Sequence, residues 1–583
     1  MKSRCALFVV LVGLIGCFDP QTRLQSGDDT DRDKEPQVQQ IGDVTSVANA
    51  EPIAVSGVGL VVDLEGTGAP ALPGGFRSLL ERDLKTEGHE NVKEILSSPN
   101  HAMVLVSAMI PPGARQGDAL DVEITLPPGS KVQSLRGGQL LKTVLYNYSS
   151  SHQVAPNTSR PDYALRGHKL AVAEGTLLVG FGDGAEEARV KQARIWGGAR
   201  SAIDRPFYLA LNPDQQFARV SMKIAERINE TFNGPYQGPN SVLADAKTKE
   251  IVYLRVPEQY RHNLARYLRV VRAIPLVETP PPTGPYRKKL EEDLLDPAKT
   301  VTAALRLEAL GTDSVPVLKK GLQCEHALVR FTSAEALAYL GSASCGEELT
   351  RLAVAEPMLR AYCLTALASL DEAVCHIKLR ELFEAESPEL RYGAFRALRT
   401  LDERDDSVQG EFLNEAFWLH QTAPQASPLV HVSTSKRPEI VIFGEEASLQ
   451  PPFSFRVDPE FTVTAADDDE RCTISRFSVK YGVKRRQCSL KLPDVLRNLA
   501  ELGGVYPDAI ELVRQAGRHK CLSCPVAVDA LPEAPTVQQL ARAGKGQADT
   551  GGSPEILNAR SEFGATPNLF SRATGKPVRP VFE

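Results

Sequence analysis

Cysteines are the residues of this sequence whose type and spacing are best suited to chemistry. The chain has 583 residues and ten cysteines, and the first of interest, Cys17, ends the segment LIGC behind a basic and then apolar N-terminus. This segment resembles a bacterial lipobox, in which a peptidase cuts before the cysteine and the thiol carries a diacylglycerol. We predict a lipoprotein-type signal peptide over residues 1–17 and lipidation at Cys17. The alternative is a plain secretory signal, and both interpretations place the protein outside the cytoplasm.

Four further cysteines cluster in the C-terminal part of the chain. Cys488 precedes one predicted helix, and Cys521 and Cys524 follow the next, so an antiparallel arrangement of the helices brings these thiols together. Because thiols outside the cytoplasm tend to pair, we predict a disulfide from Cys488 to Cys521 or Cys524, with Cys472 available for the other. The alternative is a zinc ion held by four thiolates, which an oxidising compartment disfavours. We therefore expect no metal and no cofactor.

The run GVGLVVDLEGTG at residues 57–68 raises the question of a nucleotide-binding loop. A dinucleotide fingerprint needs a glycine where this chain has Val62, and a P-loop needs a lysine that this run lacks. Its β-branched centre favours a strand. We interpret the run as a strand bounded by glycine turns and assign a structural role to its four glycines, Gly57, Gly59, Gly66 and Gly68.

The rest of the sequence offers no catalytic set. The motifs HExxH and GxSxG are absent, and the acidic run at residues 467–469 lacks the glycine and closing glutamate of a calcium loop. A formal net charge of −6 gives no basic surface for nucleic acid. We therefore expect neither an enzyme nor a nucleic-acid-binding protein. Beyond the N-terminus, no apolar run is long enough to span a bilayer.

The elements that must position these residues follow an α+β pattern. Residues 18–50 are polar and read as a flexible tether. Residues 51–280 combine strand-like segments, such as HAMVLVSAMI, with a helix-like segment at residues 214–232. Consecutive prolines then mark a boundary near residue 280, because they continue neither a helix nor a strand.

After this boundary the sequence repeats. Leucines recur every 30 or 31 residues, each with a second leucine three positions before it; the recurring set is Leu310, Leu340, Leu370 and Leu401. This period is typical of stacked helical pairs and resembles HEAT-like repeats. We predict an all-α insertion over residues 281–429 that offers an extended surface to an unknown protein partner. The alternative is a non-repeating helical domain with chance spacing.

The sequence returns to the first pattern after the insertion. Strands are predicted from about residue 430, and a helical hairpin follows with its turn at Gly503 and Gly504. These elements form the predicted second part of the α+β domain, residues 430–529. Residues 530–583 are rich in glycine, proline and alanine and are predicted to be a disordered tail.

Several of these stretches together resemble the flagellar P-ring protein family. Besides the glycine run, PPGARQGDALDV and SLRGGQLLKTVL match the family's most recognisable segments, AEGTLLVG and ADAKTKEIVYLRVP follow, and the hairpin resembles its C-terminal end. The resemblance covers about residues 51–280 and 430–529. It adds five residues to the family-motif set, Arg115, Gly117, Arg136, Gly137 and Gly138.

The resemblance implies a β-rich P-ring-like domain interrupted by the all-α insertion. It also implies a structural subunit without catalysis, which assembles with itself into a ring around the flagellar rod and acts as a bushing. Expected partners are rod and outer-membrane ring proteins, with peptidoglycan as a further candidate. The expected location is the periplasm at the basal body, with a lipid anchor to the envelope membrane.

Some features of the chain leave alternatives open. Arg115 and Arg136 can pair with carboxylates across a subunit interface, with cell-wall anions or within the chain. The lipidated Cys17, the insertion and the tail depart from the family's usual pattern. The runner-up hypothesis is therefore a non-ring envelope lipoprotein that binds another protein through its helical repeats.

Overall fold

The computed structural model describes most of the chain after the predicted signal peptide and tether. The described residues are 38–149, 165–179, 190–232, 242–276, 280–281, 283–434, 437–458, 460–478, 482–536, 539–540, 542 and 567–570. From Gln39 onward they belong to one compact unit. Cys17 and residues 18–37 of the predicted tether lie outside the described residues. The prediction is wrong for the end of the tether, because Ile41–Val44 form a helix with Ile41 fully buried and Thr45–Ala48 form a strand that pairs with Phe207–Leu211. Within the described part, no helix has the length and apolar character needed to cross a bilayer.

The described residues contain twenty strands in four sheets. The strands of the N-terminal part are β1 (Thr45–Ala48), β2 (Ile53–Val62), β3 (Ala102–Ile110), β4 (Ala119–Thr125), β5 (Gln139–Ser149), β6 (Leu165–Thr176), β7 (Leu178–Val179), β8 (Gln192–Ser201), β9 (Phe207–Leu211), β10 (Ala244–Ala246) and β11 (Ile251–Leu254). The strands of the C-terminal part are β12 (Gly410–Leu413), β13 (Phe417–Thr422), β14 (Leu429–Val432), β15 (Glu439–Phe443), β16 (Phe453–Asp458), β17 (Phe461–Ala465), β18 (Arg471–Ser478), β19 (Gly482–Ser489) and β20 (Val526–Val528).

Fifteen α-helices are described alongside them. The helices of the N-terminal part are α1 (Ile41–Val44), α2 (Gly75–Thr86), α3 (Val92–Ile95), α4 (Ala218–Phe232) and α5 (Leu264–Ala273). The later helices are α6 (Pro285–Leu295), α7 (Thr300–Ala309), α8 (Val315–Gly321), α9 (Ala327–Tyr339), α10 (Gly346–Ala355), α11 (Arg360–Leu367), α12 (Ala373–Glu381), α13 (Pro388–Leu401), α14 (Leu492–Glu501) and α15 (Tyr506–Arg518). The chain combines strand-rich, mainly antiparallel sheets with the run of consecutive helices α6 to α13, so the predicted α+β class is confirmed.

A closed antiparallel barrel forms the centre of the N-terminal part. Its strands pair in the order β2, β3, β4, β8, β6 and β5, and the pairing of β5 with β2 completes the ring. Val55, Val61 and Val106 belong to the apolar interior, while Val58 and Leu60 point outward and pack beneath α2 and α3. Closure removes the exposed strand edges that an open sheet would leave.

A four-stranded sheet, β1-β9-β11-β10, accompanies the barrel. Helix α4 lies along it, because Asn229 Oδ1 accepts hydrogen bonds from the backbone N–H groups of Leu243 and Ala244, both at 2.9 Å. Ile228 of α4 is fully buried, as its spacing predicts. The helix begins at Ala218, one residue later than the apolar spacing suggests, so Phe217 precedes it.

Eight helices, α6 to α13, follow as four consecutive pairs. The first leucine of each repeated leucine pair falls in the second helix of a helical pair and is fully buried; these residues are Leu307, Leu337, Leu367 and Leu398. The sequence period therefore marks one recurring core position. Whether the stack is of the HEAT type stays a prediction.

The helical segment ends earlier than the predicted residue 429. Helix α13 ends at Leu401, and β12 and β13 join the five-stranded sheet β12-β13-β15-β14-β20. Because β13 pairs in parallel with β15, the predicted boundary falls inside one sheet. The stretch TAPQASP, which reads as a linker, connects β13 to β14, since prolines end a strand as readily as they end a helix.

The C-terminal part also contains the predicted helical hairpin. Helices α14 and α15 are joined at Gly503, whose φ of +90° favours glycine. They pack with the sheet β16-β17-β18-β19 in one core that includes Val463, Leu496 and Leu512.

The predicted disordered tail needs a correction. Among the described residues of this range, all four leucine and phenylalanine residues are buried, with exposed fractions between 3% and 5%; they are Leu531, Leu540, Leu569 and Phe570. The overall composition of the tail hides these isolated apolar residues, and packing against the rest of the unit orders the described part of the tail.

Candidate interaction sites

Gly57 and Gly59 lie in β2 at positions where the neighbouring strand β5 leaves no space for a side chain. A Cβ on Gly57 would lie 2.6 Å from the carbonyl oxygen of Val144, and one on Gly59 would lie 2.7 Å from Thr143 Oγ1. Both neighbours belong to β5, and the ladder between β2 and β5 is interrupted here. The strand interpretation of the glycine run is confirmed. Its glycines permit close packing of strands, since no side chain fits at either position.

The other family-motif glycines lie in tight turns or against the core. Gly66, Gly117 and Gly137 have φ angles of +88°, +90° and +71°, a region that side chains disfavour. A Cβ on Gly68 would lie 2.3 Å from a backbone oxygen, and one on Gly138 would lie 2.5 Å from a valine methyl group. Each glycine is therefore needed for backbone shape or for space.

Arg115 takes part in an ion-pair network within the chain. Its Nη1 atom lies 3.0 Å from Glu258 Oε2, and its backbone N–H donates to Asp118 Oδ2 at 2.8 Å. Arg261 binds both carboxylates, at 3.1 Å from Glu258 and 3.3 Å from Asp118. Burial raises the pKa of Glu258, but hydrogen bonds and attraction to the two arginines outweigh it and leave the pKa below its ordinary value. Of the alternatives for Arg115, the described contacts are those of an intrachain salt bridge.

Arg136 lies in the turn before β5 and is half-buried. Its backbone N–H donates to Ser134 Oγ at 3.1 Å, which helps to shape the turn that Gly137 and Gly138 continue. The role predicted for its guanidinium group stays a prediction.

The predicted disulfide candidates are arranged differently from the expectation. Cys472 and Cys488 face each other on β18 and β19, and their Sγ atoms lie 3.4 Å apart as thiols. Cys521 instead donates from its thiol to the carbonyl oxygen of Ala516. Two cysteines opposite one another in a β-hairpin are the signal that could have identified this pair. The described residues do not bring three of the four thiols together as metal ligands.

One cluster of the described part has metal-ligand geometry, and it consists of His376, Asp402 and Asp405. Arg380 already binds Asp405, with Nε lying 3.1 Å from Oδ2 and 3.3 Å from Oδ1. Burial raises the pKa of Asp405, but the hydrogen bonds from Arg380 and Ser407 and the charge of Arg380 together outweigh it and lower the pKa overall. The guanidinium group thus supplies the positive charge at this cluster.

A buried polar cluster joins the N-terminal part to the helical pairs. Arg266 of α5 donates from Nη2 to Glu308 Oε2 at 2.5 Å, and its Nη1 atom lies 2.5 Å from Glu335 Oε2. Tyr260 donates to Glu308 Oε1 at 2.6 Å and stacks on Tyr339 with ring centroids 4.8 Å apart. We call these five residues the Arg266 cluster.

The charges of the Arg266 cluster are almost completely removed from solvent. The exposed fractions of the Arg266, Glu308 and Glu335 side chains are 8%, 0% and 5%. Burial raises the pKa of both glutamates, although Arg266 opposes the shift, and the pKa of Glu335 rises to about 7. Such a cluster makes separation of the two parts costly, because a buried charge without its partner destabilises the fold by about 3–5 kcal/mol.

A second buried cluster joins the last helical pair to the five-stranded sheet. Glu439 at the start of β15 accepts hydrogen bonds from Tyr392 at 2.6 Å and from Arg399 at 2.8 Å, both on α13. His420 Nε2 lies 2.9 Å from Arg399 Nη1. Burial raises the pKa of Glu439, but Arg399 and its other partners outweigh it and lower the pKa overall. The helical pairs are therefore anchored at both ends by buried charges.

The sequence patterns did not lead us to predict either buried charge cluster, although glutamates within apolar helix segments indicate the Arg266 cluster. Glu308 interrupts the apolar run ALRLEALG, and Glu335 interrupts SAEALAYLG. Carboxylates are almost never fully buried unless they are paired, so a glutamate in such a run predicts a buried partner. The partner itself, Arg266, is 42 residues away from Glu308 and cannot be identified from the sequence.

The fold is that of an α+β protein in which a closed barrel is joined to the helical pairs by the Arg266 cluster. Residues 40–282 match the model of the family described as flagellar P-ring protein. This range contains the barrel, the accompanying sheet and α4 and α5. The predicted resemblance to the flagellar P-ring protein family is confirmed for these residues.

Individual relatives agree with the family match. The flagellar P-ring protein of Helicobacter pylori strain J99 is 26% identical over 243 residues, covering 41% of this chain and 62% of the relative. That of Shigella dysenteriae serotype 1 strain Sd197 is 29% identical over 254 residues, covering 42% and 63%. That of Oleidesulfovibrio alaskensis strain G20 is 28% identical over 268 residues, covering 44% and 64%. The chain thus spans less than two thirds of each of these relatives.

The family match ends at residue 282. It therefore does not reach residues 430–529, and their resemblance to the family's C-terminal end stays a prediction.

Proposed function

We propose that this chain is a structural subunit of the flagellar basal body P ring and acts as a bushing around the rod at the level of the periplasm and peptidoglycan. The observation that supports this most strongly is the family match over residues 40–282, because it coincides with a complete barrel and its accompanying sheet. The glycines that shape the β2–β5 seam fall in the same range. The role is one of assembly and involves no catalysis.

The proposed partners follow from this role. Copies of the chain assemble into a homo-oligomeric ring, and the ring contacts rod proteins and the outer-membrane ring, with peptidoglycan as a further candidate. Closed rings require one repeated heterologous contact between neighbouring copies. The helical pairs must leave that contact free, and an insertion on an exposed face of the domain satisfies this condition.

The test is to locate the protein in purified basal bodies. A strain with a small epitope at the C-terminus is used for basal-body purification, and the label is imaged by immuno-electron microscopy. A ring of label around the rod is expected. Label that stays in the soluble and membrane fractions, with none on basal bodies, would contradict the proposal and favour the non-ring lipoprotein hypothesis.

The proposed location includes a lipid on Cys17, which anchors the chain to the envelope membrane. Cells that express the protein are grown with a clickable fatty acid, and labelling of Cys17→Ser is compared with that of Cys5→Ser. The two cysteines lie in the same N-terminal segment. Loss of label in Cys17→Ser alone is expected, while equal labelling of both variants would exclude the lipid anchor at Cys17.

A further inference from the structure

The C-terminal segment after β20 runs across the second helices of the helical pairs. Pro532 lies against α13, where a Cβ on Gly393 would lie 2.8 Å from the Cγ atom of that proline. Tyr362 of α11 donates from its hydroxyl to the carbonyl oxygen of Pro535 at 2.7 Å. The segment therefore contacts the second helices of the last two pairs in order.

The same path continues towards the first pairs. Leu540 is 4% exposed and lines a small cavity between α7 and α9, next to Arg266. Further along the chain, Asn568 donates to the carbonyl oxygen of Arg261 at 2.9 Å and accepts from the backbone N–H of Leu264 at 3.3 Å. The described parts of the segment thus contact α11, α13 and the start of α5, and line one cavity together with α7 and α9.

We define the second-helix face as the row formed by α7, α9, α11 and α13. We define the strap by the described residues 530–536 and 539–540. Stacked helical pairs typically use an extended inner surface for binding. The strap has the chemistry that such a surface recognises, because Leu531 and Leu540 supply apolar anchors and its two prolines limit the entropy lost on binding.

We propose that the second-helix face is a binding site for extended, proline-containing segments with leucine anchors, and that the strap is the ligand that occupies it in this chain. The hydroxyl of Tyr362 on α11 donates a hydrogen bond to a backbone carbonyl oxygen of the ligand. Gly393 leaves the space into which a proline ring fits. Leu540 is buried and closes one side of the cavity that α7 and α9 also line.

Because the strap belongs to the same chain, the second-helix face is selective among possible partners. A ligand on the same chain acts at an effective concentration on the order of millimolar, so a weakly binding segment of another protein cannot displace it. Only a protein that has a segment with the same anchors and a higher affinity displaces the strap and binds to the second-helix face. The unknown partner expected for the repeats is thereby restricted to this chemical class.

The experiment compares full-length chains that differ in the anchoring of the strap. A fluorescent peptide with the sequence of residues 529–542, DALPEAPTVQQLAR, is added to the wild type and to a variant with Leu531→Asp and Leu540→Asp. Anisotropy is expected to show binding to the variant at least about tenfold tighter than to the wild type, whose face is occupied. The same peptide with Leu540→Asp is the matched control and is expected not to bind.

Hydrogen exchange provides a second readout that does not depend on the double variant. In the otherwise wild-type chain, Tyr362→Phe removes the hydrogen bond to Pro535 and is expected to raise exchange in the strap about five- to tenfold. Tyr253→Phe, on a sheet away from the face, is expected to leave it unchanged. Equal peptide binding to the wild type and the double variant, or unchanged exchange in Tyr362→Phe, would overturn the proposal.

Discussion

The Arg266 cluster contains two buried carboxylates but one guanidinium group. The variant Glu335→Gln removes one of the two negative charges and tests whether that charge is left unbalanced. Arg266 contacts two buried carboxylates, those of Glu308 and Glu335. Glu308 accepts hydrogen bonds from Arg266 and Tyr260, whereas Glu335 Oε1 has no hydrogen-bond partner among the described residues. Burial raises the pKa of Glu335 to about 7, with Arg266 opposing the shift. We therefore expect Glu335 to be the group that takes a proton.

The raised pKa links stability to pH over a defined range. An ordinary glutamate has a pKa of 4.5, and that of Glu335 is about 7 in the folded protein. Between these values the folded state binds more protons than the unfolded state, so the free energy of unfolding falls as pH rises. The stabilisation is fully present below pH 4.5 and is lost as pH rises through about 7. The pKa difference corresponds to about 3 kcal/mol.

The assay is urea unfolding followed by circular dichroism at about pH 5 and about pH 8. Glu335→Gln keeps the size of the side chain but carries no charge, so it is expected to match the wild type at the lower pH. At the higher pH it is expected to be more stable than the wild type by up to about 3 kcal/mol. Glu308→Gln is the control and should be less stable at both values, because Arg266 loses its best partner. Parallel pH dependence in the wild type and Glu335→Gln would refute the reasoning.

Three shorter predictions concern other sites. Gly59→Ala is expected to lower the free energy of unfolding by about 1–3 kcal/mol, because the added methyl group overpacks the contact between β2 and β5. Thermal unfolding measures this change. Gly75→Ala is the matched control, because its added methyl group meets no neighbour within 4 Å. Peptide mapping of the protein isolated from its native envelope without reduction is expected to recover Cys472 linked to Cys488, since their Sγ atoms lie 3.4 Å apart; linkage of either to a different cysteine would contradict this. Arg115→Ala is expected to change the free energy of unfolding by less than about 1 kcal/mol, because its ion pair is largely exposed, and a loss of several kcal/mol would show that the ion-pair network is structurally essential.

Local patterns in the sequence were sufficient for most elements. The strand at GVGLVVDLEGTG, the helix that ends at Phe232 and the hairpin around Gly503 all form as predicted. The repeated leucines also located the second helices of the four pairs. These predictions succeed because strand and helix periodicity depend on neighbouring residues, and glycine and proline limit each element from within.

The same local patterns do not predict which strands pair when they are far apart in the sequence. The proline-containing stretch between β13 and β14 has the composition of an interdomain linker. Only the parallel pairing of β13 with β15 shows that the stretch connects two strands of one sheet. Residues 530–583 appeared disordered because their scattered apolar residues cannot form a core by themselves. The four that the structure shows as buried are ordered because another part of the chain supplies the surface that covers them.

The sequence by itself determined the α+β class, the helical repeat period, the glycine run as a strand and the resemblance to the flagellar P-ring protein family. The tertiary structure alone decided that Cys472 faces Cys488, that Arg266 meets Glu308 and Glu335, and that the strap packs against α11 and α13. The physical reason is that a buried charge or thiol takes its properties from neighbours that are distant in the sequence. Burial raises the pKa of Glu335, and the fold alone determines that burial.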